Sequence, residues 1–148
     1  MHVQICNEPR AEVYKDFIDF AFEKSKKFFF HIHSGWLDNK NTFDLIRELN
    51  EHMIEVIPAT SYEHMEYSNG NLYVFECNEF TKSILKNRVN GLFEWLFPKL
   101  PEDLSFLDET EFLWLATISH DKMAWFRALS PSEKEYLSHE LGLNLKTY

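Results

Sequence analysis

Glycine is scarce in this chain: four among 148 residues, at positions 35, 70, 91 and 142. Spaced so widely, they cannot write a phosphate loop or a dinucleotide fingerprint. Both need several glycines in one turn, so that backbone N–H groups can close on phosphate. Enzymes built on nucleotide cofactors are therefore disfavoured. Only five prolines accompany them, and this shortage of loop formers argues against a disordered or linker-rich chain.

Cysteine is nearly absent as well. Cys6 and Cys77 are too few for a disulfide scaffold and are expected to be reduced, small, buried residues at strand ends. No apolar run approaches membrane-spanning length, and "MHVQICNEPR" lacks the charged-then-apolar order of a signal segment, so the expected location is cytoplasmic. Basic residues are the remaining deficit. Fifteen Lys and Arg against 24 Asp and Glu leave a net charge of −9. Such a balance disfavours a nucleic-acid backbone as partner, and no membrane partner is expected either; a basic protein is the easier electrostatic match.

What the chain has in excess is aromatic surface: 16% of residues, with fourteen Phe and four Trp. At this length one domain over residues 1–148 with an aromatic core is expected. Frequent Phe, Ile, Asn and Lys hint at an AT-rich, bacterial genome.

Periodicity predicts a strand at His2–Cys6, then a helix capped by Asn7 with Pro9 in its first turn. Its buried face should carry Val13, Tyr14, Phe17, Ile18, Ala21 and Phe22. "KFFFHIHSG" reads as a strand, and "NKNTFDLIRELNEHM" as a helix capped at Asn41 or Thr42 with Phe43 on its apolar side. Asn69-Gly70 predicts a tight hairpin pairing Ser61–Tyr67 with Leu72–Cys77. A third helix follows Asn78, and "PEDLSFLDET" reads as an irregular acidic connection. Two strands flank a turn at His120-Asp121, and Ser130-Pro131-Ser132-Glu133 opens the last helix with a capping box. The sum is a single α+β domain. Its mixed, mainly antiparallel sheet should have five to six strands, with about four helices packed chiefly on one face.

Cys-Asn-Glu occurs twice, at residues 6–8 and 77–79, each time between an apolar strand and an amphipathic helix. Turn chemistry alone favours Asn and Glu at such a junction, and two related halves of the chain are the other reading. Neither copy has a partner histidine at a spacing that implies nucleophilic chemistry.

Two classes of function remain open. In the first, this is a non-catalytic protein binder: a regulator, an adaptor or a toxin-neutralising, immunity-type partner. Its surface would be the aromatic hairpin with Trp114, Trp125 and Phe126, rimmed by Glu109 and Glu111. A homodimer through that face is a variant. In the second class, His31 and His33, alternate residues of one strand, meet His120 and Asp121 to hold a divalent metal such as zinc, or a small ligand, with hydrolysis as one use. Without Cys-x-x-Cys or His-Glu-x-x-His to supply further ligands, the first class, with no cofactor and no catalytic residues, is preferred.

Overall fold

The computed structural model describes residues 2–62 and 69–148. Among the described residues eight strands form one sheet: β1 (His2–Ile5), β2 (Lys27–Ile32), β3 (Met53–Pro58), β4 (Asn71–Glu76), β5 (Glu102–Leu107), β6 (Leu113–Ile118), β7 (Met123–Arg127) and β8 (Leu145–Thr147). The helices are α1 (Ala11–Lys24), α2 (Lys40–Leu49), α3 (Glu79–Arg88) and α4 (Pro131–Glu135), the last running into a π-helical turn at Tyr136–Glu140. The class is α+β as expected, but the sheet has eight strands rather than five or six.

Across the sheet the order is β3-β4-β2-β5-β6-β7-β1-β8, and every neighbouring pair is antiparallel. Read inward from its two edges, the sheet runs β3, β4, β2, β5 and β8, β1, β7, β6. Matched strands point in opposite directions, as a two-fold axis normal to the sheet requires. Hence β1-α1-β2-α2-β3 matches β4-α3, then β7-α4-β8, with the β5–β6 hairpin inserted. The strands are exchanged between the halves. β1 pairs with β7 and β8, while β4 pairs with β2 and β3.

α1, α2 and α3, with the π turn that continues α4, share one core with one face of the sheet. Tyr14, Phe17 and Phe20 of α1, Leu45 and Leu49 of α2, Leu85 of α3 and Leu137 beyond α4 pack with Val3, Phe28, Phe75, Phe106 and Phe126. Inside this core the Tyr14 hydroxyl donates to the Leu85 carbonyl (2.6 Å) and accepts from Trp95 Nε1 (3.1 Å). Satisfying both polar groups keeps their burial from being costly. Phe29, Leu72, Val74, Leu107, Leu113 and Ala116 are buried on the other face, where Tyr62 stacks on Phe29 at 5.5 Å.

Several local expectations need correction. Asn7 caps nothing: its amide holds Gly142 O (3.4 Å) and Asn144 N (2.7 Å), and α1 starts after Arg10 without a side-chain cap. Glu8 accepts the Phe93 amide at 2.7 Å, which fastens this turn to the segment after α3. Asn78, by contrast, does cap α3, in a reciprocal box with Thr81. α2 is capped by Asn39, not by Asn41 or Thr42, and Phe43 is 57% exposed because Leu45 and Leu49 hold the inward positions.

The partners of β4 are β3 and β2, so Asn69-Gly70 does not close the expected hairpin. Ser61 lies in a 3-10 turn, and residues 63–67 of the expected strand lie outside the described residues. Gly70, at φ 96°, is pressed against β2; a Cβ there would come within 2.4 Å of the Ile32 carbonyl. "EDLSFL" is the central strand β5, and the acidic connection is only the turn after it, where Asp108 Oδ1 accepts Thr110 N (2.8 Å) and Phe112 N (3.1 Å).

Candidate functional site

The second function class placed its ligands on β2 and on the turn after β6, and the fold does bring these to one end of the sheet. His31 is buried and sits opposite Glu102 of β5. Its Nε2 donates to the Asn69 carbonyl at 2.8 Å, while Ser34 Oγ donates to Asn69 Oδ1 at 3.1 Å. Burial holds the His31 imidazole below the usual histidine range, favouring the neutral ring. His33 Nδ1 accepts the Gly35 amide (3.1 Å), and both imidazoles touch Trp36, which stacks on Phe97 with ring centroids 4.4 Å apart. The pair is therefore used in packing an aromatic corner and docking the Asn69-Gly70 segment.

At the neighbouring turn, His120 is exposed, with Nε2 3.9 Å from Asp121 Oδ1. Burial and the adjacent Asp103 raise the Glu102 carboxyl above its ordinary range, while His120 acts in the opposite sense. Asp103 accepts the Ser119 amide at 2.8 Å. Among the described residues, no three or more His, Cys, Asp or Glu side chains are arranged to hold a metal ion. His31, His33, His120 and Asp121 thus lie towards one end of the sheet.

The aromatic hairpin also needs correction. Trp114 and Phe126 are fully buried under α1, stacked on each other at 5.6 Å, and Trp114 Nε1 donates to Ser25 Oγ at 2.9 Å. Neither can face a partner. Trp125 points to the opposite face, half-buried, where with His2, Gln4, Met123 and Tyr148 it lines a depression of about 390 Å³. Glu109 is exposed, and Glu111 is exposed but paired with Lys27. Cys6 is exposed, contrary to expectation, whereas burial pushes the Cys77 thiol up to about 12.

No family model matches the chain, no curated protein sequence does, and no solved structure does. Any functional reading rests on the molecule's own geometry. Among the described residues, no helix is long and apolar enough to cross a membrane.

A feature that composition had only hinted at lies where α1 meets α4. Glu12, Asp16, Asp19 and Glu23 recur at helical spacing, so α1 carries an acidic stripe. At its edge the Tyr136 ring, 39% exposed, stacks on Phe20 at 5.7 Å. Together with Asp19, Glu23, Ser132 and Glu133 they line a groove of about 260 Å³. Burial, then Asp16, Glu23, Asp19 and Glu140, raise the Tyr136 phenol above its ordinary range. Asp19 is neutralised by Lys86 (2.8 Å) and Lys82 (3.8 Å), and Glu133 pairs with Lys24 (3.4 Å). Asp16, Glu23 and Glu140 form no ion pair among the described residues, so their charge acts outward. Residues from the two ends of the chain build this groove, and no linear motif joins them.

Proposed function

We propose that the protein works by non-catalytic binding of a basic protein partner through the acidic seam between α1 and α4. The observation that carries this reading is the acidic stripe of α1, with Asp16 and Glu23 free of ion pairs among the described residues, running along a groove floored by the half-exposed Tyr136 ring. A net charge of −9 supports it, since attraction would also speed encounter with a basic surface. A regulator, an adaptor and an immunity-type neutraliser all fit. The depression beside the half-buried Trp125 is the surface a homodimer would use instead. The two-fold matching of the strands supports descent of the halves from one repeated unit.

Native mass spectrometry of the protein captured at low expression from its host's lysate tests the reading. A stoichiometric basic protein is expected, released by salt and lost from the Asp16→Asn/Glu23→Gln/Glu140→Gln variant. Retention of an acidic partner, or of a metal ion with no protein, would overturn it.

A further inference from the structure

The α1–α4 seam differs from an ordinary acidic surface in having an aromatic floor. Tyr136 is held by stacking on Phe20, 23° from parallel, and Phe20 is itself fixed edge-on against Trp114 and Phe126. The platform is thus braced by the core. The segment carrying Tyr136 is a π-helical turn, an uncommon geometry that often coincides with functional positions. Its groove, about 260 Å³, lies below the roughly 300–1,000 Å³ of small-molecule sites but admits one long side chain.

Several cationic groups could meet such a groove, and their chemistry separates them. A guanidinium is planar, stacks on an aromatic face and presents a fork of donors to carboxylates. An ammonium is compact and strongly hydrated, and gains less from the ring. Three carboxylates border the groove: Asp19 and Glu133, each paired with lysine, and Glu23, which forms no ion pair among the described residues and is left to meet the fork.

We infer that the groove between α1 and the Tyr136 turn is an anchor for an arginine side chain presented by an exposed basic segment of a partner protein. This rests on the reading of the protein as a binder of basic partners and names the contact that would select among them. The carboxylates supply attraction, while the Tyr136 face supplies the preference for arginine over lysine.

The test uses the isotopically labelled full chain, titrated at low salt with a short peptide carrying three arginines in an alanine–glycine background. Lysine and citrulline versions of the same peptide are the comparators. Expected are amide shift changes confined to residues 16–23 and 132–140. Binding should be about two- to fivefold weaker for the lysine peptide, as expected for loss of one exposed cation–aromatic contact, and should be absent for citrulline. Tyr136→Phe should keep the preference, Tyr136→Ala should abolish it, and Glu140→Gln, a change at an exposed position, should weaken both cationic peptides alike. Equal binding of the arginine and lysine peptides would overturn the inference. Shifts elsewhere on the surface, unaffected by Glu140→Gln, would overturn it together with the seam as the binding surface, whereas equal arginine and lysine binding at the seam leaves the basic-partner reading standing. No binding by either cationic peptide would remove both.

Discussion

At the scale of single residues, polar groups in this molecule are spent on joining segments. The Tyr14 hydroxyl ties α1 to α3 and to Trp95, and Ser25 receives the Trp114 indole. His31 follows the same pattern, and its titration should be visible in stability. Its folded pKa is lowered, so on acidification the unfolded chain takes up the proton first. Stability rises with pH wherever the unfolded state holds more protons. The His31 contribution is therefore complete above about pH 6.5 and is lost as pH falls through that value towards the lower folded pKa. Denaturant midpoints measured from about pH 7.5 to pH 5 should decline for the native chain and decline less for His31→Gln. An equal slope in both would contradict the assignment. The histidine pair was legible in the sequence as a pair on one strand. Its use was not, because the groups that satisfy it, Asn69 and Trp36, are fixed by tertiary packing.

At the scale of elements, the two Cys-Asn-Glu turns show how one tripeptide can serve different ends. Asn78 caps a helix, as local chemistry predicts, while Asn7 bonds the backbone at Gly142 and Asn144. Asn78→Ala should cost about 1 kcal/mol, the usual value of a helix cap. Asn7→Ala should leave the amide exchange of α1 unchanged and accelerate exchange at Asn144, read by hydrogen exchange on both variants. Faster exchange throughout α1 in Asn7→Ala would mean that Asn7 acts as a cap after all.

The elements that sequence reading found are those with a clean period or a clear cap: α1 to α4, and β1, β2, β4, β6 and β7 with their apolar runs. Three strands escaped it for physical reasons. β3 is an edge strand with a register shift after Met53 and with Ile54 and Val56 exposed, so its alternation is broken. β5 opens with Glu102 and Asp103, whose charges disguise a strand buried between β2 and β6. β8 has three residues, too few for any pattern. The acidic groove escaped likewise, since each of its walls alone reads as an ordinary solvated helix face.

At the scale of the whole molecule, the exchange of strands between halves governs what can fold alone. Within the first half, β1, β2 and β3 are nowhere adjacent; β4 separates two of them, and the third lies across the sheet. A fragment of residues 1–62 is therefore expected to show no sheet signal by circular dichroism, and mixing it with residues 69–148 should restore one. A strand signal from residues 1–62 alone would contradict the pairing.

The same exchange sets a timetable for synthesis. The chain leaves the ribosome with three strands already made and no strand to pair with until β4 emerges, and β1 then waits for β7. Pairings so distant in sequence form slowly and leave apolar strands such as "KFFFHI" uncovered meanwhile. A sheet closed by its last-made strands is thus one whose first-made strands must be shielded by something else while the rest is being built.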